Sequence, residues 1–394
     1  MTEMQVSDTA YLRNGETISD AILAGYAPDG ELYLPEEYPK ISFEELSKLK
    51  SADYATVFYE VTRKFLRGAL PDDVLESIAR QAYSSDNFDF DSGKLRMDRL
   101  DSGIYVVGLS DGPTGAFKDM AMQPFARWVA AIRDARGISD DPLDFLISTS
   151  GDTGPAAQHA FSGLKGIRTV TMFPEGKGTS EFQRSQMRSM HDGQSTYSIE
   201  VGADFSTIND FHLDLQSMFD VSAVNSVNLA RLIAQIPYHV ASYLQAVEAE
   251  NGIIGDPVDI SIPSGNFGNG LAAIIARDMG VPIRNIIVAT NENNVLEQFF
   301  NFREYPNTAE GRLVHTSSSA QDIRNASNIW RLFAMAYGDG NGDRFREWSE
   351  NKKLDLQQRK PERPELLKDV KATRVDELAR HAMMWNIWDE GMAG

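Results

Sequence analysis

The sequence predicts an α/β protein with parallel β-sheets, built from two successive units that follow a mixed N-terminal segment. Short apolar runs alternate with helical stretches from about residue 103, and the alternation starts again at residue 258. Strands separated by helices of this length pair in parallel through right-handed crossovers. In both units a glycine-rich turn follows a buried strand, as at sites that bind anions.

The first hundred residues predict mixed structure. Turn residues are dense in Ala27–Gly30, and the short apolar piece Leu32–Leu34 follows them. Helical periodicity appears over 43–50 and again over 72–83.

The first alternating unit contains three predicted strands and two predicted helices. The strands are the apolar runs Ile104–Leu109, Leu143–Thr149 and Arg168–Phe173, and the helices are Ala121–Arg136 and Pro155–Phe161. Their order is the one expected for a parallel sheet covered by helices.

The second unit repeats this order. A strand at Val258–Ile262 is followed by a helix at Leu271–Met279 and a strand at Ile283–Thr290. A long helical stretch, 223–248, precedes the unit, and Pro237 is expected to kink or divide it because proline disrupts a helix interior.

We divide the chain into three regions. Residues 1–100 form the mixed N-terminal region, 101–220 the first α/β domain, and 221–394 the second. The second domain includes a polar excursion after residue 335 and a last helix near 374–389.

Composition excludes several classes of function. The 394 residues carry a formal net charge of -19 and no Lys/Arg run, so neither a nucleic acid nor a membrane surface is an expected partner. No apolar run approaches the ~20 residues of a membrane span, and the chain's start lacks a signal-like apolar core. Absent cysteines and six scattered histidines argue against a metal site, and we expect a cytoplasmic protein that is a monomer or homodimer.

One candidate for chemistry is Lys118, which follows a turn of Gly, Pro and Thr and precedes a helix beside Phe117. A lysine acts as a nucleophile when its amine is neutral, and a helix N-terminus with apolar neighbours favours that form. The simpler alternative is a surface lysine in the first turn of a helix.

Two loops between a strand and a helix are candidates for anion binding. One is 148–154 (STSGDTG) and the other is 263–270 (PSGNFGNG). Backbone N–H groups at a helix N-terminus bind phosphate or carboxylate, and glycines let the backbone approach closely. The glycines of the second loop match neither the dinucleotide fingerprint nor a Walker loop, which leaves a single phosphate as its ligand. Either loop can instead be a structural turn that caps its helix.

A lysine and two anion-binding loops together suggest pyridoxal 5'-phosphate. The lysine would carry this cofactor, one loop would hold its phosphate, and the other would face the substrate.

Six blocks of the sequence resemble the threonine synthase family, in the family's order over roughly residues 11–333. They are APDGELYLP (27–35), GPTGAFKD (112–119), TSGDTGPAA (149–157), NSVNLARLIAQIPY (225–238), PSGNFGN (263–269) and ATNENNVLEQF (289–299). The resemblance implies the type II fold of these enzymes, two doubly wound α/β domains with pyridoxal phosphate between them.

The resemblance also implies roles for individual residues. Lys118 would form the Schiff base and act as the catalytic base, and Arg184 would contact the substrate phosphate. The cofactor phosphate would be bound by Gly265, Asn266, Phe267, Gly268 and Asn269. The cofactor ring and the substrate carboxylate would be contacted by Ser150, Asp152 and Thr153. The implied reaction converts O-phospho-L-homoserine and water to L-threonine and phosphate.

The sequence departs from the family pattern in four places. Leu12–Gly15 and Gly108–Thr114 differ from the family's blocks, and its MDI block reads Gln321–Ile323. The chain also stops at Gly394, about where the family continues with a strand that contacts the pyridine nitrogen. The sequence is then truncated, or another residue serves that nitrogen, or the protein is a catalytically inactive member. A diverged phospho-lyase that releases 2-oxobutyrate is a further alternative.

Overall fold

A computed structural model gives the fold. It describes residues 3–8, 14–27, 32–101, 103–176, 179–203, 205–219, 221–305, 313–314, 316, 321–337, 354–355 and 360–374. The predicted turn at 28–30 and most of the predicted last helix, 375–389, lie outside these residues.

The N-terminal region combines a small antiparallel sheet with four helices. Its elements are β1 (Gln5–Asp8), β2 (Asn14–Thr17), α1 (Ile18–Ala24), β3 (Tyr33–Pro35), α2 (Phe43–Leu49), α3 (Tyr54–Thr62) and α4 (Asp72–Ala82), with strand order β2-β1-β3. Helix α4 matches the predicted periodicity: Leu75, Ile78, Ala79 and Ala82 are its buried residues. Helices α1 and α3 were not predicted from the sequence.

A hairpin follows, formed by β4 (Met97–Asp101) and β5 (Ile104–Val107). The two strands pair antiparallel. The prediction that the run Ile104–Leu109 begins the parallel series is therefore wrong. Its neighbour in sequence is close enough to pair with it through a tight turn, which a parallel strand cannot do.

The first parallel sheet has four strands, in the order β8-β7-β6-β9. Its strands and helices are α5 (Asp119–Ala135), β6 (Leu143–Ser148), α6 (Thr153–Phe161), β7 (Ile167–Pro174), α7 (Glu181–Ser189), β8 (Thr196–Val201), α8 (Phe205–Met218) and β9 (Ser222–Ala223). Residues Leu143 to Ser148 of β6 are in register with Ile167 to Met172 of β7.

The second parallel sheet has three strands, in the order β10-β11-β14. This part of the chain contains α9 (Leu229–Ile233), α10 (Ile236–Ala249), β10 (Val258–Pro263), α11 (Gly268–Met279), β11 (Ile283–Thr290), α12 (Val295–Glu297), a π-helical turn (Gln298–Phe302), β12 (Glu304–Tyr305), α13 (Ile329–Tyr337), β13 (Leu354–Asp355), a 3-10 turn (Pro364–Leu366) and β14 (Val370–Arg374). Pro237 lies in the first turn of α10, so the predicted division of the helical stretch 223–248 is confirmed. The predicted start of this stretch is wrong, because β9 ends at Ala223 and the first helix, α9, begins at Leu229. The predicted α/β class with parallel sheets is also confirmed.

One large hydrophobic core extends from the N-terminal helices to both parallel sheets. In it the ring of Phe58 on α3 stacks on Trp128 of α5, with 5.6 Å between the ring centroids. Both side chains are almost fully buried. Truncating an aromatic side chain in such a core costs about 3–5 kcal/mol, so α3 is well anchored to α5, the helix that follows Lys118.

Candidate active site

A cavity of about 280 Å³ lies where the carboxyl ends of β6 and β10 continue into loops. Its walls include residues 115–118, 148–153, 263–269 and 321–323, together with side chains on and just before α9. Ligand sites of α/β folds lie at the carboxyl ends of parallel strands, because the loops there converge.

Lys118 is the residue at the N-terminal end of α5, and its side chain lines this cavity. Its Nζ lies 2.9 Å from Oδ2 of Asp152 and 5.0 Å from the centroid of the Phe117 ring. The two charged side chains are 13% and 17% exposed, so water screens this ion pair only weakly.

The turn that delivers Lys118 is tightly packed. A Cβ at Gly112 would lie 2.6 Å from Cβ of Asp119, so only glycine fits there. Asp119 accepts hydrogen bonds from the backbone N–H of Thr114 at 2.8 Å and from its Oγ1 at 2.9 Å. Burial raises the pKa of Asp119 to about 6, although the bonds from Thr114 act in the opposite direction. These contacts hold the turn in one conformation.

Helix α7 supports both Lys118 and Asp152. Nε2 of Gln183 donates to Oδ1 of Asp152, and Nε2 of Gln186 donates to the carbonyl oxygen of Thr114 at 3.0 Å. Burial by itself raises the pKa of Asp152. The charge of Lys118 and the hydrogen bonds from Lys118 and Gln183 outweigh this effect, so the pKa lies below its usual value. Asp152 is therefore ionised at neutral pH.

Residues 265–269 form a loop that lines the cavity. Its five N–H groups have no hydrogen-bond acceptor among the residues that the structure describes. Phe267 has φ of 62°, a left-handed conformation that costs a non-glycine residue roughly 1–2 kcal/mol. Its ring is fully buried and lies against Gly270, where a Cβ would be 2.4 Å from Cε2 of the ring. Strained backbone with unpaired donors at a helix N-terminus is the geometry of an anion site.

Two side chains hold the loop at 265–269 through contacts with its backbone carbonyl oxygens. Nδ2 of Asn328 donates to the carbonyl oxygen of Asn266 at 3.2 Å, and Nε2 of His239 lies 3.1 Å from the carbonyl oxygen of Asn269. Burial lowers the pKa of His239 to about 4, so its imidazole is neutral at pH 7 and donates from Nε2. The loop is therefore anchored at both ends.

Two further walls of the cavity come from other parts of the chain. Arg231 and Gln235 lie four residues apart, and Nε2 of Gln235 would be 3.2 Å from a Cβ at Gly268. Residues 321–323 form another wall, where Oδ1 of Asp322 accepts from Nδ2 of Asn291 at 2.8 Å, which ties this segment to the end of β11.

The structure brings all but one of the predicted site residues to this cavity. Those at the cavity are Lys118, Ser150, Asp152, Thr153, Gly265, Asn266, Phe267, Gly268 and Asn269. Arg184 is not among the lining residues. Its guanidinium pairs with Glu181 and lies 3.8 Å from Oε1 of Glu200.

The predicted site residues did not include Arg231 and Gln235, which line the cavity and lie within the block 225–238. They also did not include Gln183 and Gln186, which hydrogen-bond to Asp152 and Thr114. On α7, Gln183 and Gln186 are three residues apart and share a helical face, whereas Arg184 points elsewhere. Arg231 and Gln235 are four residues apart, a spacing that places two side chains on the same face of a helical segment. Helical spacing was thus the available signal.

Comparison with known proteins shows the family. Residues 8–83 match the family described as "Threonine synthase N terminus". The chain is 36% identical to threonine synthase of Methylobacillus glycogenes over 328 residues, which are 80% of this chain and 67% of that protein. It is 35% identical to "Threonine synthase-like 1" of Mus musculus, over 82% of this chain and 45% of that protein.

Solved structures agree. The PLP-bound threonine synthase of Brucella melitensis superposes with a TM-score of 0.79 at 30% identity, covering 94% of this chain and 78% of that one. The yeast enzyme gives a TM-score of 0.82 at 26% identity, covering 95% and 76%.

The chain thus belongs to the threonine synthase family, as its motifs predicted. The matched region spans about two thirds of the Methylobacillus relative and less than half of the mouse protein. Among the described residues, no helix has both the length and the apolar character needed to cross a membrane.

Proposed function

We propose that this protein is a threonine synthase that binds pyridoxal phosphate through Lys118 and converts O-phospho-L-homoserine and water to L-threonine and phosphate. The observation that carries the proposal is the partly buried Lys118 amine in one cavity with a loop of unpaired backbone N–H groups. Family membership supports it, and so does the bound PLP named for the Brucella structure.

The cavity fits this cofactor in two respects. The N–H groups of residues 265–269 offer donors to its phosphate, and Gly265 and Gly268 leave the backbone open to it. In addition, Oδ1 of Asn225 is a buried acceptor with no hydrogen-bond partner among the described residues, and Asn225 lines the cavity. A polar ligand would relieve the cost of leaving this acceptor unsatisfied.

Each residue then has a physical role. Asp152 holds the Lys118 amine at the cavity wall, and Gln183 and Gln186 keep the two loops in place. Nζ of Lys118, in its neutral form, would act as the base that accepts the proton from the substrate's Cα. Pyridoxal phosphate, when bound, supplies the electron sink that makes loss of that proton feasible. The hydroxyls of Ser150 and Thr153 orient the substrate carboxylate, while the ionised Asp152, next to the Lys118 amine, would lie beside the cofactor ring.

The proposal extends to the setting of the enzyme. We propose a cytoplasmic amino-acid biosynthetic lyase, monomeric or homodimeric, divided near residues 101 and 221. Its partner is a small phosphorylated amino acid.

A product assay tests the function. Purified protein with pyridoxal phosphate and O-phospho-L-homoserine is expected to release L-threonine and phosphate in equal amounts, and Lys118→Ala is expected to release neither. Release of phosphate with 2-oxobutyrate would replace the proposal by a phospho-lyase. Likeness to "Threonine synthase-like 1" keeps a third outcome open, in which the protein binds the cofactor but releases no product.

A further inference from the structure

Arg231 is a buried cation without an anionic partner. Its side chain is 3% exposed and forms no ion pair within the described part of the chain. Nη1 donates to the carbonyl oxygen of Val224 at 2.9 Å, while Nε has no hydrogen-bond partner there. Burial lowers its pKa only to about 10, so the guanidinium stays charged at pH 7. A buried charge is costly unless hydrogen bonds or an opposite charge compensate it, so unused donors beside a cavity indicate a site for an anionic ligand.

Another buried arginine shows what a structural role looks like. Arg331 is also fully buried, but each of its nitrogens donates: Nε to Tyr33, Nη1 to Asn328, and Nη2 to Val227. Arg331 does not line the cavity, whereas Arg231 does. The unused donor capacity therefore lies with the arginine at the cavity.

Three anionic groups must enter this cavity if the proposed function holds, and the present inference rests on it. The loop at 265–269 provides for the cofactor phosphate, and residues 150–153 for the substrate carboxylate. No cavity residue has then been assigned to bind the phosphate group of the substrate. Arg184, predicted for this role, is engaged by Glu181 outside the cavity.

We infer that Arg231 binds the phosphate group of the substrate. A guanidinium offers parallel N–H donors that match two oxygens of a phosphate, and burial strengthens the charge-assisted bonds. Gln235, four residues further on, donates from Nε2 to the carbonyl oxygen of Arg231 at 2.7 Å, and the same nitrogen would lie 3.2 Å from a Cβ at Gly268. Arg231 is therefore close to the loop at 265–269. Arg231 thus selects substrates that carry a second anionic group.

Inorganic phosphate is the probe for this subsite. Its affinity for the cofactor-loaded protein is measured by titration calorimetry, and the cofactor's affinity for the same variants by absorbance. Arg231→Gln is expected to weaken phosphate binding at least ~10-fold while leaving cofactor affinity unchanged. Arg231→Lys, which keeps the charge, is expected to lose less. Arg133→Gln is the matched control: Arg133 is also buried with an unpaired Nε, but it does not line the cavity.

Two results would overturn the inference: phosphate affinity unaffected in both Arg231 variants, or a loss of cofactor affinity that accompanies the loss of phosphate binding. A third result separates it from the proposed function. If phosphate binding depends on Arg231 but no threonine forms, the anion subsite stands and the synthase reaction does not. Circular dichroism of each variant establishes that it is folded.

Discussion

Nζ of Lys118 lies 2.9 Å from Oδ2 of Asp152, and this ion pair joins the loop before α5 to the loop before α6. Each partner comes from a different glycine-containing turn. The negative charge of Asp152 therefore holds the Lys118 amine at the cavity wall.

Asp152→Asn is expected to destabilise the cofactor-free protein by about 3 kcal/mol, because it leaves the mostly buried ammonium unpaired. In a Lys118→Ala background the same change is expected to cost much less. Urea unfolding of the four proteins measures this coupling. Asp140→Asn is the control, since Asp140 pairs with Lys165 on the surface, where such a pair contributes below about 1 kcal/mol. Equal cost in both backgrounds would rule out the coupling.

Gly270→Ala is expected to weaken cofactor binding about tenfold. Alanine in a helix gains up to ~1 kcal/mol over glycine, but the new Cβ would meet the Phe267 ring at 2.4 Å, and overpacking costs about 1–3 kcal/mol. The ring is fully buried, so the clash is expected to displace the loop at 265–269. Absorbance titration measures the effect. Gly202→Ala, whose Cβ would have an ordinary contact of 3.4 Å, serves as the control, and equal affinities would contradict the prediction.

His239→Gln is expected to reduce the loss of unfolding free energy that occurs as the pH falls from 6.5 to 4. The folded-state pKa of His239, about 4, is below its ordinary value of 6.5, so the unfolded chain takes up this proton first as the pH falls. The stability that the neutral imidazole contributes is complete above pH 6.5 and declines toward pH 4, by about 3 kcal/mol in all. Glutamine keeps a donor for Asn269 without titrating. Urea unfolding at several pH values checks this, and identical profiles would refute it.

Much of the fold follows from local pattern, and the exceptions have physical causes. The strand Ile283–Thr290 was predicted to the residue, because an apolar run bounded by Val281-Pro282 and a polar loop has few alternatives. The antiparallel pairing of β5 was not predicted, because a strand's own sequence does not identify the strand with which it pairs. The short helices α1 and α3 owe their burial to tertiary contacts that no local pattern contains.

The site divides in the same way. Glycine turns after strands and the motif lysine were predicted to form one site, and they line one cavity in the structure. Both features are local, so the sequence alone could single them out. The left-handed Phe267 and the unpartnered Arg231 were not foreseeable, since φ and burial depend on the packed surroundings. Arg184 was predicted from its motif, yet the side chains of α7 that reach Asp152 and Thr114 are the neighbouring glutamines.

The most direct test is the site of cofactor attachment. The protein is incubated with pyridoxal phosphate, reduced with borohydride and digested, and the peptides are analysed by mass spectrometry. We predict one mole of pyridoxyl phosphate per chain, on the peptide containing Lys118, and none on the Lys118→Ala protein. Label spread over surface lysines, or none on Lys118, would contradict the account.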